Sequence, residues 1–159
     1  MDRLWAPWRI NYIKAKKTGK CIFCKGAKGE GKDYVIFKSR HSFAMLNTFP
    51  YNNGHIMVSP IRHVRDISRL NTEEALDLFC SLNSAKKLLE KVMKPDGYNI
   101  GMNISKSAGA GIAGHLHIHI VPRWKGDINF MPILSDTRVI CQSLDELYKL
   151  LKNAYTKRD

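Results

Sequence analysis

The stretch Gly114-His115-Leu116-His117-Ile118-His119-Ile120-Val121-Pro122 alternates imidazole and aliphatic side chains without a break from His115 to Ile120. Successive side chains of a strand point to opposite faces. The run therefore reads as a strand with His115, His117 and His119 on one face, while Leu116, Ile118 and Ile120 enter a buried layer on the other. Three imidazoles on one face make a built site. They span about 13 Å of extended chain, too far for all three to ligate one ion. Of a three-histidine metal centre, a redox metal site and a nucleophilic histidine oriented by its neighbours, the first is excluded by that length. A division of labour fits best, with one end serving a metal and the middle doing chemistry.

Outward from this strand the chain breaks into short apolar runs cut by turn residues: Tyr34 to Phe37, Ser42 to Leu46, His55 to Ser59 and Tyr98 to Ile104. Pro50-Tyr51-Asn52-Asn53-Gly54 separates two of them and is a turn by composition, since Asn and Gly accept positive φ and Pro fixes its own. Asn71-Thr72-Glu73-Glu74 is a capping signature, and Ala75, Leu76, Phe79, Leu82, Ala85, Leu89 and Val92 follow at helical spacing up to Pro95-Asp96-Gly97. Ser143-x-x-Glu146 opens a second helix, from Leu144 to about Tyr155. Strands that come in runs, without helices between them, predict an α+β domain: about five strands in a mostly antiparallel sheet, one long helix and a C-terminal helix.

The 159 residues suit one domain: an N-terminal arm over 1–32, a core over 33–130, and a tail with its helix over 131–159. The arm is rich in Trp, Lys and Gly, shows neither periodicity, and needs a ligand to order it. The longest uncharged stretch, His41 to Ile61, holds three asparagines, two prolines, a glycine and His55, which a bilayer does not accept cheaply. With no apolar leader segment, the expected address is cytoplasmic. Twenty-six Lys and Arg against fourteen Asp and Glu give +12, a bias toward polyanions that does not by itself define a function. Reduced thiols are expected, so Cys21-x-x-Cys24 reads as metal or redox chemistry, while Cys80 and Cys141 read as core fillers. The cysteine pair needs two more ligands to close a tetrahedron, for which His63 and one end of the triad are candidates. A redox pair is the rival; it usually opens a helix, a context that the glycines and lysines after Cys24 do not provide.

His115-Leu-His117-Ile-His119-Ile-Val-Pro122-Arg resembles the motif of the histidine-triad (HIT) family of nucleotide hydrolases and transferases. Cys21-Ile-Phe-Cys24, Asn47, Gly54-His55-Ile-Met-Val, Pro60-x-Arg-His63-Val and Asn103 fall in the same order and approximate spacing. The opening Arg3-Leu4-Trp5-x-Pro7, the stretch Ala108 to His115, and Pro122-Arg-Trp124-x-Gly126-Asp127-x-Asn129-Phe130 are most similar to bacterial diadenosine tetraphosphate phosphorylases.

The resemblance implies a HIT-like fold and nucleotidyl transfer from a dinucleoside polyphosphate to inorganic phosphate or water. His117 would be the nucleophile, its ring held by the His115 carbonyl. His119 would bond the phosphate and the departing oxygen, with His55 in support. Asn47 would hold ribose hydroxyls, and Asn103, Ser107 and Gly111 would contact phosphate. A structural zinc on Cys21, Cys24, His63 and His115, no organic cofactor, and a homodimer complete the expectation. Gly111 stands where many relatives carry Gln or Ser, which leaves the acceptor open. Alternatives are a purine nucleoside phosphoramidate hydrolase and a basic, zinc-stabilised nucleic-acid-binding or DNA-end-repair module. The chain shows no zinc finger and no RNP-type aromatic pair, so nucleic acid is not the expected partner, and no membrane association is expected.

Overall fold

A computed structural model describes residues 21–30, 33–127 and 142–157. The Arg3-Leu4-Trp5-x-Pro7 opening, Cys141 and Asn129-Phe130 lie outside them. The strands β1 (Val35–Lys38), β2 (Ser42–Leu46), β3 (Ile56–Pro60), β4 (Gly97–Gly101) and β5 (Ile118–Arg123) form one sheet in the order β1-β2-β3-β5-β4. Every pairing is antiparallel. Three α-helices accompany it among the described residues: α1 (Ile22–Lys28), α2 (Thr72–Met93) and α3 (Leu144–Thr156).

All five residues of β2 and of β3 are buried, because both faces of the sheet are covered. Ala44, Leu46, Ile56, Val58, Ile118 and Ile120 face the main core, where Leu78, Leu82, Ala85 and Leu89 of α2 and Leu147 and Leu151 of α3 meet them. The alternate positions Phe43, Met45 and Met57 face the other way and pack with Phe23 of α1. Each such fully buried aliphatic or aromatic side chain contributes about 1.5–3 kcal/mol. The expectation that only one face of the triad strand is covered is corrected here: His115 and His117 are buried too, under α1.

Several element bounds depart from the sequence reading. Regular pairing of the triad strand starts at Ile118, with Val58 opposite it. Pro60 has no N–H to give, its carbonyl lies 2.9 Å from His115 Nε2, and Ser59 Oγ donates to the Leu116 carbonyl at 2.8 Å. The Leu116 N–H donates instead to the Val64 carbonyl at 2.6 Å, so side chains and the chain after β3 together replace the ladder at His115 to His117. Strand β4 ends at Gly101 opposite His119, short of the expected Ile104, since β5 offers no ladder further back. The Cys pair does open a helix. Cys21 is the N-cap of α1, and Gly29 closes it at φ 77°. Seven residues do not make a stable helix alone, and tertiary packing supplies the rest: a Cβ on Gly26 would meet Phe43 at 3.2 Å, and Lys38 Nζ donates to the Ala27 carbonyl at 2.6 Å.

The capping box of α2 is complete, with Asn71 Oδ1 accepting from Glu74 N–H at 2.9 Å and Glu74 Oε2 accepting from Asn71 N–H at 3.0 Å. At α3 only Ser143 Oγ accepts, from Glu146 N–H at 3.2 Å, and Glu146 itself is exposed. Leu76 and Phe79 are 65% and 58% exposed, contrary to their expected core places. The buried stripe runs instead through Leu78, Leu82, Ala85 and Leu89. Cys80 is exposed on that same outward face and is not a core filler.

Candidate active site and metal cluster

Helix α1 brings Cys21 and Cys24 against His63, just after β3, and His115, just before β5. One ligand atom from each of the four lies within 4.8 Å of the others. Cys21 Sγ is 3.3 Å from His115 Nδ1, and Cys24 Sγ is 3.2 Å from His63 Nδ1 and 3.6 Å from His115 Nδ1. Sulfur and nitrogen ligands of one tetrahedral zinc-sized ion are about 3.5 Å apart, so the cluster can hold such a metal. The tautomer agrees. A carbonyl only accepts, so His115 Nε2–H donates to Pro60 and the Nδ1 lone pair faces the thiols. Burial and the adjacent Cys21 push the Cys24 thiol up, an opposition that a cation among the donors would reverse.

The other histidines form a second chain of bonds whose direction is set by its ends. His117 Nδ1–H donates to the His115 carbonyl at 2.8 Å, which leaves the lone pair on Nε2. Tyr51 N–H donates to His55 Nδ1 at 3.0 Å, so the proton of His55 is on Nε2. That proton is given to His119 Nδ1 at 2.9 Å, and His119 must then carry its own proton on Nε2. A lone pair on His117 and an N–H donor on His119 thus sit two residues apart on one face.

Burial holds His55, His115, His117 and His119 below the usual imidazole range. His55 is brought down to about 3, by burial first and then by the neighbouring His119 and His117; His119 comes down to about 4, by burial and His117. All are neutral near pH 7.

A cleft of about 250 Å³ opens beside His119, with Tyr51, Asn99, Gly101 and Asn103 among its walls. Asn103 is therefore brought to the histidines. Asn47 is at the end of β2 with its amide nitrogen 3.2 Å from His55 Nδ1 and its oxygen accepting from Phe49 N–H at 2.9 Å. One amide hydrogen and one lone pair remain for a ligand. Ser107 and Gly111 are exposed on the loop before the triad and are not among the cleft walls.

The sequence reading missed two aromatic residues. The Phe23 ring stacks on His117 at 4.7 Å between centroids, and Tyr51 lies over both His55, at 4.6 Å, and His119, at 5.6 Å. The place of Phe23 between the two cysteines was the available signal for the first. Tyr51 was visible only as part of a turn.

A sheet of this order, with His115 and His117 buried ahead of β5, His119 half-buried on it and a Cys₂His₂ cluster at its head, defines a histidine-triad protein. The family model of the HIT domain matches residues 28–126, and the chain belongs to that family. It is 32% identical over 168 residues to an AP-4-A phosphorylase of Mycobacterium tuberculosis, covering 99% of this chain and 86% of that one. It is 35% identical over 95 residues to an asymmetrical bis(5'-nucleosyl)-tetraphosphatase of Schizosaccharomyces pombe, covering 60% and 52%. Among solved structures it is similar to a zinc-bound histidine triad family protein from Mycobacterium smegmatis, at TM-score 0.71 and 26% identity, covering 87% and 95%. Relatives of this kind support an enzyme that processes dinucleoside polyphosphates. No helix of the described residues is long and apolar enough to cross a membrane.

Proposed function

We propose that this protein transfers a nucleotidyl group from a dinucleoside polyphosphate, diadenosine tetraphosphate in the first instance, through a covalent intermediate on His117. The single observation that carries this reading is the bond from His117 Nδ1–H to the His115 carbonyl, which leaves an unprotonated Nε2 as nucleophile. Nε2 attacks the α-phosphorus and the bond from phosphorus to the bridging oxygen breaks, releasing ATP. His119 Nε2–H donates to the phosphate oxygens as charge moves onto them, and His55 keeps that proton on the outward nitrogen. Asn103 and the exposed loop with Ser107 and Gly111 supply further phosphate contacts, and the spare donor and acceptor of Asn47 suit ribose hydroxyls. Inorganic phosphate or water then attacks the same phosphorus, and the P–N bond breaks to give ADP or AMP.

Cys21, Cys24, His63 and His115 would hold zinc. With four protein ligands it has no open position, so its chemistry is to cross-link α1 to the head of the triad strand. Residues 1–159 make one domain in this reading, with 1–32 as the arm, 33–130 as the core and 131–159 as the tail. We take it to be a cytoplasmic homodimer. The edge of β4, unpaired among the described residues and with Ile100 exposed, and the outward Leu76 and Phe79 of α2 support the dimer, and gel filtration of the whole chain checks it.

Product chromatography after incubation with diadenosine tetraphosphate, with and without phosphate, tests the function. ADP plus ATP only with phosphate establishes a phosphorylase, and AMP plus ATP in both tubes establishes a hydrolase. No reaction in either refutes the reading and directs attention to phosphoramidates and adenylylated DNA ends.

A further inference from the structure

Phe23 is fully buried between two members of the candidate metal cluster, Cys21 at the N-cap of α1 and Cys24 in its first turn. Its ring lies on His117 with centroids 4.7 Å apart and planes 30° from parallel. The same ring touches His115 at 5.3 Å and 49°, and leans on Phe43 at 6.5 Å. One side chain thus contacts a metal-ligating histidine and the histidine with the free lone pair.

We propose that Phe23 is a positioning residue for His117, setting the plane of its ring and passing the state of the metal cluster to it. The proposal rests on the reading of His117 as nucleophile. A hydrogen bond from Nδ1–H to the His115 carbonyl fixes the tautomer and one edge of the imidazole, but it leaves the ring free to rock about that edge. The face contact from Phe23 removes that freedom, and the two contacts together aim Nε2. In-line attack at phosphorus tolerates little misalignment, and about 1 Å of misplacement can cost on the order of 100-fold in rate.

The coupling is geometric. A metal held through Cys21 and Cys24 would pin the first turn of α1, from which Phe23 projects. A helix of seven residues lacks the internal stability to hold the ring in place without it. Metal loss therefore loosens Phe23 before it disturbs the sheet. By linkage, whatever tightens His117 against Phe23 tightens the cluster in return.

The test compares Phe23→Leu with Phe37→Leu, which removes a buried ring from the main core, where it stacks on Tyr155, away from Phe23 and His117. Ring signals of His117 are followed by NMR in the full chain, alongside kcat and KM. In Phe23→Leu the expected results are an unchanged Nδ1–H tautomer, a ring proton shifted out of the aromatic shielding, kcat down about 10-fold or more and KM within about two-fold. In Phe37→Leu both signal and kcat stay near wild type. Stripping the metal with a chelator moves the His117 signal in the wild type and moves it clearly less in Phe23→Leu, where only the path through the His115 carbonyl remains. If Phe23→Leu fails to fold, Phe23→Met, flexible and of similar volume, carries the same comparison. Wild-type kcat and His117 signal in the Phe23 variant, or the same losses in Phe37→Leu, overturn the positioning role. Activity surviving in His117→Ala overturns the functional reading instead, while the NMR arm still reports whether Phe23 and the metal orient the ring.

Discussion

His55→Asn should change how the protein responds to acid, in a direction that follows from burial. His55 is fully buried and brought down to about 3 from 6.5, so in the folded state it stays neutral where the unfolded chain has already taken a proton. A group with a depressed imidazole pKa contributes its full share of stability above 6.5 and loses it as the pH falls toward the folded value. Each unit between the two is about 1.4 kcal/mol, so by about pH 5 the wild type has lost about 2 kcal/mol at this one residue. Asparagine can accept the Tyr51 N–H with its side-chain oxygen but does not titrate. It also loses the bond to His119, and near pH 8 the variant should be about 2–3 kcal/mol less stable. Urea unfolding at about pH 8 and about pH 5 then shows the gap closing by about 2 kcal/mol. Other acid-sensitive groups, the metal cluster included, titrate in both proteins and cancel in the difference. Parallel loss of stability in the two proteins would refute the claim that His55 is held neutral inside the fold.

Replacing His117 with Gly should abolish turnover while metal content and unfolding midpoint stay near wild type, as read by product chromatography, elemental analysis and calorimetry. Substrate-dependent mass gain of one nucleotidyl group should appear in the quenched wild type and be missing from that variant. Cys24→Ser should lose the metal and lower stability by roughly 3 kcal/mol or more, because binding free energy at such a cluster is folding free energy; a variant that keeps both would remove the metal assignment. Glu74→Gln should cost about 1–2 kcal/mol in urea, since Glu74 meets Arg62 Nε at 2.6 Å and Arg62 Nη2 at 2.7 Å and closes the capping box at Asn71.

What could be read from the sequence were the features with a strict period or a strict local rule. The alternation from His115 to Ile120 located the site strand, and the Asn71 to Glu74 signature located the start of α2 to the residue. The Cys pair and His63 were marked by ligand chemistry alone. Three things were hidden because they depend on tertiary contacts. Helix α1 has no amphipathic period of its own and is held by Phe43, Val35 and Met45 pressing on Phe23 and Gly26. Leu76 and Phe79 satisfy helical spacing as well as Leu78 does, and only the direction of the sheet decides which stripe is buried. The late start of β5 comes from Pro60, whose missing N–H leaves its partner residues to be held by side chains.

That late start explains how one strand serves two purposes. Were His115 held in a regular ladder, its carbonyl would point along the sheet toward the neighbouring strand and its ring would share the face of His117 and His119. Released from the ladder, its ring turns to the cysteines while its carbonyl receives the His117 proton at 2.8 Å. The same residue therefore ties the candidate metal cluster to His117 through its own backbone. The remaining histidines need to be neutral for the lone pair and the donor to point as they do, and burial is what keeps them so. Burial on that face is provided by α1, which is too short to stand alone. A metal held by Cys21, Cys24, His63 and His115 would fasten α1 over the histidines and so sustain the low-dielectric cover on which their protonation states depend.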